Sequence, residues 1–205
     1  MSRPTGGRDD KMPDRMKPRP LKKTDLIAKV REPLKQQFYA PRPKIPGVEL
    51  AEIAVARSTD GLFAEIARID SGSGAVQGVD GFRPVQWNWS WLQPGAVKAW
   101  HVHLEQDDLF IVPPTSTLLV GLADLRPEGH TDPEPVAQSL VLGAGRCHRL
   151  LIPRGVAHGV ANLGTEPQAI LYAVNNFFTA DPERTDEWRL PWDYFRADFW
   201  SMPRG

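Results

Sequence analysis

The sequence predicts an all-β protein, a single barrel of short strands carried behind a tail that has little to bury. Three observations predict it. From Val48 onward the chain is a succession of short apolar runs separated by turn residues, with no long run at helical spacing, which is the pattern of a sandwich or barrel. Two histidine-bearing segments, Gly95-Ala-Val-Lys-Ala-Trp-His101-Val-His103 and Pro153-Arg-Gly-Val-Ala-His158-Gly-Val-Ala-Asn162, lie about fifty residues apart in that region. The length of 205 residues suits one well-buried core rather than two.

Residues 1 to about 22 are rich in Pro, Lys, Arg, Gly and Asp, a composition that predicts disorder. From Asp25 to Phe38 the apolar positions Leu26, Ile27, Val30, Leu34 and Phe38 recur near helical spacing. That spacing predicts one short helix interrupted at Pro33. Pro41, Pro43 and Pro46 then form an extended lead-in, so the tail is taken as 1–45 and the barrel domain as 46–205. Strands are expected at about 48–56, 63–70, 85–92, 96–104, 108–112, 117–124, 137–142, 148–152, 157–162 and 168–175. Turns are expected at Asp60-Gly61, Ser71 to Gly74, Gln93-Pro-Gly95, Arg126 to Gly129 and Leu163-Gly164. The C-terminal part from Thr179 is broken by prolines and carries Trp188, Trp192, Tyr194, Phe195, Phe199 and Trp200. So many aromatics predict a segment that packs across the barrel.

Charge and composition narrow the classes. Lys and Arg total 25, as do Asp and Glu, but residues 1–45 carry 13 basic and 5 acidic groups and the remainder 12 and 20. The basic tail has no uninterrupted basic cluster and almost no aromatics, which argues against a nucleic-acid or membrane arm. The single Cys147 excludes an intramolecular disulfide and fits a reducing compartment. No apolar run approaches the length of a membrane span and the N-terminus has no signal-type apolar stretch, so a cytoplasmic protein is expected.

Alternation over 96–104 puts Val97, Ala99, His101 and His103 on one face and Lys98, Trp100, Val102 and Leu104 on the other. The second segment, Pro-x-Gly-x-x-His-x-x-x-Asn from Pro153 to Asn162, carries a tight turn before its histidine. Together the two segments resemble the paired signatures of the cupin superfamily, which implies a jelly-roll β-barrel with imidazoles gathered in its mouth. Such imidazoles hold a metal or move protons. The strand at 85–92 places Gln86, Asn88 and Ser90 on one side and Val85, Trp87, Trp89 and Trp91 on the other, which suggests a lined cavity.

A closer resemblance then emerges. Gln86-Trp-Asn88-Trp-Ser90 followed by Gly95 and Trp100-His101, Asp124-Leu-Arg126, Ile152-Pro-Arg-Gly-Val-Ala-His158-Gly, Tyr172 fourteen residues after His158, and Asp60-Gly61-Leu-Phe63-Ala-Glu65 resemble the motifs of dTDP-4-dehydrorhamnose 3,5-epimerases. The likeness covers roughly residues 48–195. It implies a dimeric jelly-roll epimerase that acts beside a sugar ketone with no metal and no cofactor. It further implies His101 as base, Tyr172 as acid on the opposite ring face and His158 as the second buried histidine. A neutral imidazole can remove a proton next to a carbonyl and a phenol opposite can return one, inverting the centre. Gln86, Asn88, Ser90, Lys98, His103 and Glu65 are the implied contacts to the sugar nucleotide.

The departures from that family are specific. Its arginine before Gly-x-Phe-x-Glu is Asp60 here, its arginine before the base is Lys98, and the intervening glycine is Ala99. The lysine it keeps near the developing enolate falls at Asp108 or Leu109, and its glycine turn after that strand is Pro113-Pro114. The aspartate it pairs with the base would fall beyond Gly205, so Asp193 is the expected substitute, ahead of Asp198. With two cations lost, either the substrate is less anionic or its phosphates meet Lys98, Arg149 or a neighbouring subunit.

Three readings therefore stand side by side. One is the sugar-nucleotide epimerase. A second is a metal-dependent cupin, an oxygenase or isomerase, with His101, His103, His158 and Asp107 or Asp108 as ligands. A third is a catalytically silent sugar-binding cupin. Of the remaining histidines, His130 is expected in a solvated loop and His148 is assigned no role.

Overall fold

The computed structural model describes residues 19–37, 44–127, 135–196 and 198–201. The chain separates into two compact units, 1–42 and 43–205. In the first, a 3-10 turn at Lys23–Asp25 and one helical turn, α1 (Ala28–Arg31), bury nothing. The single helix expected over 25–38 is thus reduced to one turn, because Pro33 cannot continue it and so short a piece gains little from propagation. The disorder expected up to about residue 22 falls mostly on residues outside the described set.

The second unit is all-β and antiparallel. Its strands are β1 (Glu49–Ile53), β2 (Ala56–Ser58), β3 (Gly61–Phe63), β4 (Gln86–Leu92), β5 (Val97–Val102), β6 (Asp108–Val112), β7 (Thr117–Asp124), β8 (Gln138–Gly143), β9 (Cys147–Ile152), β10 (Val156–Ala161), β11 (Gln168–Val174) and β12 (Trp188–Arg189). They form two five-stranded sheets, β1-β9-β6-β11-β4 and β12-β5-β10-β7-β8, with β2 and β3 as a separate hairpin. This is the jelly-roll barrel expected, with two corrections. The strand expected at 48–56 divides into β1 and β2, which folds back on β3 at Asp60-Gly61. The run 63–70 is not a strand, since only the isolated bridge between Ile69 and Val76 forms there.

The core between the sheets takes residues from both, among them Leu92, Phe110, Val120, Leu142, Leu150, Val160 and Ile170. Phe199 and Trp200 pack on Trp100, Leu119 and Ala161. The indole N–H groups of Trp100 and Trp200 both donate to the Trp192 carbonyl, at 3.1 and 2.9 Å. The aromatic C-terminal segment is therefore anchored as expected, although Trp188, Trp192 and Tyr194 remain exposed. Val76, Val79 and Phe82 pack against Leu109 and Ala173 of the other sheet, which explains why that apolar stretch needs no strand of its own.

Candidate active site

A cavity of about 440 Å³ opens between the sheets. His101 and Lys98 of β5 and His158 of β10 reach it from one sheet, Asp108 and Phe110 of β6 and Ile170 and Tyr172 of β11 from the other. Ser90, His103, Gln106, Gly159, Val160, Phe178, Glu187 and Arg189 complete its lining. The two histidine segments meet because β5 pairs with β10, with His158 opposite His101. Gly155 turns with a φ of +75° and donates its N–H to the His103 carbonyl at 2.7 Å. Asn162 closes the second segment structurally, donating to the Leu92 and Glu166 carbonyls.

The ladder between β5 and β10 slips, since Val160 pairs with Lys98 while His158 pairs with His101. This bulge puts an extra residue on β5 and reverses alternation across it. Lys98 consequently lines the cavity beside His101, where strict alternation placed it on the other face, and Trp100 turns into the outer aromatic cluster. Gly159 permits the bulge. A Cβ there would collide with the Ala99 methyl and lie 2.8 Å from the Lys98 carbonyl oxygen.

Each imidazole has a distinct setting. His101 Nδ1 lies 3.6 Å from Glu187 Oε2. Burial holds the His101 ring below the usual imidazole range; the contact with Glu187 works the other way, and the charges of His158 and Arg189 reinforce the depression. Glu187 is held ionised by its contact with His101. His103 Nδ1 faces the Asp186 carbonyl at 2.8 Å and so must be the donor there. Its Nε2 is left to accept from Gln106 at 3.3 Å. His158 Nδ1 likewise donates to the Val156 carbonyl at 3.0 Å, and its Nε2 stands 3.2 Å from Asp108 Oδ2. Burial alone would discharge His158, but the hydrogen bond and charge of Asp108 outweigh it and raise the ring above its ordinary range. Burial opposes ionisation of Asp108 too, yet His158, then His103 and Gln106, keep it below the usual carboxylate range. The outcome is a buried histidine–aspartate pair in which each partner favours the charged form of the other, beside an imidazole pushed towards its neutral form, the kind of separation that sorts acid from base within one site.

Tyr172 projects from the sheet opposite His101, with Phe110 5.9 Å away between it and His158. Burial, with the charges of Asp108 and Glu187, raises its phenol and keeps it protonated. His101, His103, His158, Tyr172, Ser90 and Lys98 are thus brought together in one cavity.

Other expected residues are not. Asp193 lies exposed and outside the lining, because the chain turns to the surface after Pro191. The acid beside His101 is instead Glu187, held there by β12, in which Arg189 pairs with His101. Asp186 fastens this crossing, its carboxylate accepting the N–H groups of Leu104, Glu105 and Gln106, each at 2.9 Å. Glu65 is exposed and paired with Arg68 at 2.7 Å, away from the cavity. Gln86 and Asn88 hydrogen-bond one another at 2.7 Å and do not line it. Asp107 binds Arg154 rather than joining Asp108, and Arg149 donates to the carbonyls of Gln77 and Gly78 elsewhere. His148 accepts the Gly143 N–H at 2.9 Å, a turn contact, and His130 lies outside the described residues. The donor atoms of His103, Asp108 and His158, and those of His101, His103 and Glu187, fall within 4.8 Å of one another, so either trio could hold a cation.

Comparison with known proteins points to one family. The sequence model of dTDP-4-dehydrorhamnose 3,5-epimerase matches residues 42–192. The spore coat polysaccharide biosynthesis protein SpsL of Bacillus subtilis (strain 168) is 36% identical over 149 residues, 73% of this chain and 91% of that protein. The probable low-salt glycan biosynthesis epimerase Agl13 of Haloferax volcanii is 30% identical over 151 residues, 74% of this chain and 90% of that one. The fold is similar to that of dTDP-6-deoxy-D-glucose-3,5-epimerase from Legionella pneumophila, solved with dTDP-4-keto-L-rhamnose, at a TM-score of 0.59 and 21% identity over 78% of this chain and 82% of that one.

Proposed function

The chain belongs to the dTDP-4-dehydrorhamnose 3,5-epimerase family, and we propose that it epimerises a keto-deoxy sugar nucleotide by moving protons beside the ketone without a metal. One observation carries the reading: His101 and Tyr172 enter a single cavity from opposite sheets, with the Glu187 carboxylate on the histidine.

His101 acts as the base. Its neutral ring removes the proton next to the ketone, and Glu187 orients the ring and stabilises the imidazolium that forms. The electrons move into the carbonyl, leaving an enolate that needs a positive neighbour. The family's lysine falls at Asp108 or Leu109, and of the two it is Asp108 that lines the cavity, where its charge by itself would repel an enolate. Asp108 is instead committed to His158, and His158 supplies the positive charge. Tyr172 returns a proton to the opposite face and inverts the centre. The exposed ring of Phe178 at the rim offers a flat apolar surface suited to a nucleobase.

A homodimer and a cytoplasmic location belong to the same proposal. The dimer is supported by β4, an edge strand that exposes Trp87, Trp89 and Trp91 in alternation, a surface that a second copy would cover. Among the described residues no helix is long and apolar enough to cross a membrane.

The test is hydrogen exchange in heavy water on a 4-keto-6-deoxy sugar nucleotide. Deuterium should enter the carbon next to the ketone, and His101→Ala should abolish its entry. Tyr172→Phe should abolish inversion while leaving exchange from the His101 side. Binding without exchange in the unaltered protein would point to a silent sugar-binding cupin. The metal-dependent reading has one observation in its favour, the convergence of His103, Asp108 and His158. Chelator-treated, metal-free protein that keeps full exchange would exclude it, and loss restored by a divalent ion would establish it.

A further inference from the structure

The substrate class just proposed carries a diphosphate, and the arginine that the family places before Gly-x-Phe-x-Glu is Asp60 in this chain. Arg149 is occupied by two backbone carbonyls outside the cavity. Besides the buried histidines, two cationic side chains line the cavity, Lys98 and Arg189. Both are exposed at its rim, whereas His103, Asp108 and His158 form its buried floor. The bulge in β5 turns Lys98 inward, where its ammonium donates to Ser90 Oγ at 2.7 Å. Arg189 sits on β12 directly across from His101, and its guanidinium has no hydrogen-bond or ion-pair partner among the described residues.

The buried floor holds the Asp108 carboxylate, while Lys98 and Arg189 stand at the mouth beside the exposed Glu187, so a diphosphate meets its two cationic partners at the mouth. Resting on the epimerase reading, we propose that Arg189, acting with Lys98, binds the diphosphate of the sugar nucleotide and stands in for the arginine replaced by Asp60. A guanidinium suits this task because its planar fork donates two parallel N–H groups to phosphate oxygens. Bound there, the diphosphate fixes the sugar over His101, one strand away.

The test uses the full-length enzyme, deuterium entry as the assay, and dTDP and thymidine as competing probes. In Arg189→Gln the KM for the sugar nucleotide should rise roughly 10- to 100-fold, as for loss of a charge-assisted contact. Inhibition by dTDP should weaken by the same factor, and that by thymidine, which lacks phosphates, should not change. Arg189→Lys should recover part of the loss. Wild-type KM and dTDP inhibition in Arg189→Gln would overturn the proposal, as would an equal loss of thymidine inhibition, which would mark a general distortion. If Arg189→Gln does not fold, Arg189→Lys with an unaltered KM at both low and high salt would overturn it. No deuterium entry in the unaltered enzyme would remove the epimerase reading itself; normal entry with an indifferent Arg189 removes only this inference.

Discussion

The His101 and His158 imidazoles lie face to face, ring centroids 5.9 Å apart and planes 14° from parallel, while their surroundings drive their proton affinities in opposite directions. Two charged rings at that spacing would repel, so fixing the charge on His158 helps keep His101 neutral. One site thereby holds two rings of the same residue type with opposite proton affinities, as the proposed division into base and cation requires.

The acid limb of kcat/KM follows from His101. A base works only when unprotonated, so a lowered affinity extends activity to lower pH. The limb should have its midpoint below about 6.5, the ordinary histidine value. Glu187→Gln removes a contact that raises the ring, and should move the limb further to acid. A midpoint at or above the ordinary value in the unaltered enzyme would refute the assignment.

Glu187 and Asp193 should behave differently. Glu187→Gln takes away the orienting carboxylate and should lower kcat roughly 100- to 1,000-fold, the lower part of the range of acid–base contributions. Asp193→Asn alters an exposed group and should leave kcat near wild type. Steady-state rates of the two variants side by side decide it.

Asp108→Asn leaves His158 buried without its counter-charge. The cost should be about 3 kcal/mol where both groups are charged, and kcat should fall because the enolate loses its positive neighbour. The depressed Asp108 contributes stability above its unfolded value near 3.9, lost as pH falls through its folded value. The raised His158 contributes stability below its unfolded value near 6.5, lost as pH rises through its folded value. The difference in Tm between wild type and variant should therefore be largest between about pH 4 and 6.5 and shrink on both sides.

Gly159→Ala should cost about 1–3 kcal/mol, the usual price of overpacking, since its methyl would meet Ala99 and the Lys98 carbonyl. Straightening the bulge would also displace Lys98 and His101, so activity should fall by more than the loss of folded protein explains. Thermal melts compared with rates per folded molecule test this.

Trp89→Lys should release monomers if the β4 face is covered by a second copy. Light scattering after gel filtration reads the mass directly, and an unchanged mass would place the interface elsewhere.

Much of this was legible in the residues. The strands from Gln86 to Val174 follow from short apolar runs set off by turn residues, with period-two alternation added in β4 and β5, and both signals act over a few residues. The run 63–70 misleads because it finds only one isolated bridge partner, with Ala67 packed on the core while Phe63 and Ile69 stay exposed. Gln86 and Asn88 point to the cavity side of their strand but satisfy one another short of it.

What the sequence determined by itself is local: short strands, two histidine segments, a tyrosine at the right interval, and a family likeness built from them. The tertiary structure decided which acid lies beside His101, whether Lys98 faces inward, and what Asp108 does in the stretch where the family keeps a lysine. Those outcomes depend on a two-residue strand crossing β5 and on one slipped register, neither of which leaves a periodic trace in the chain. Periodicity reports how neighbours along the backbone point, whereas charge pairing depends on residues far apart in the chain, 86 positions for His101 and Glu187.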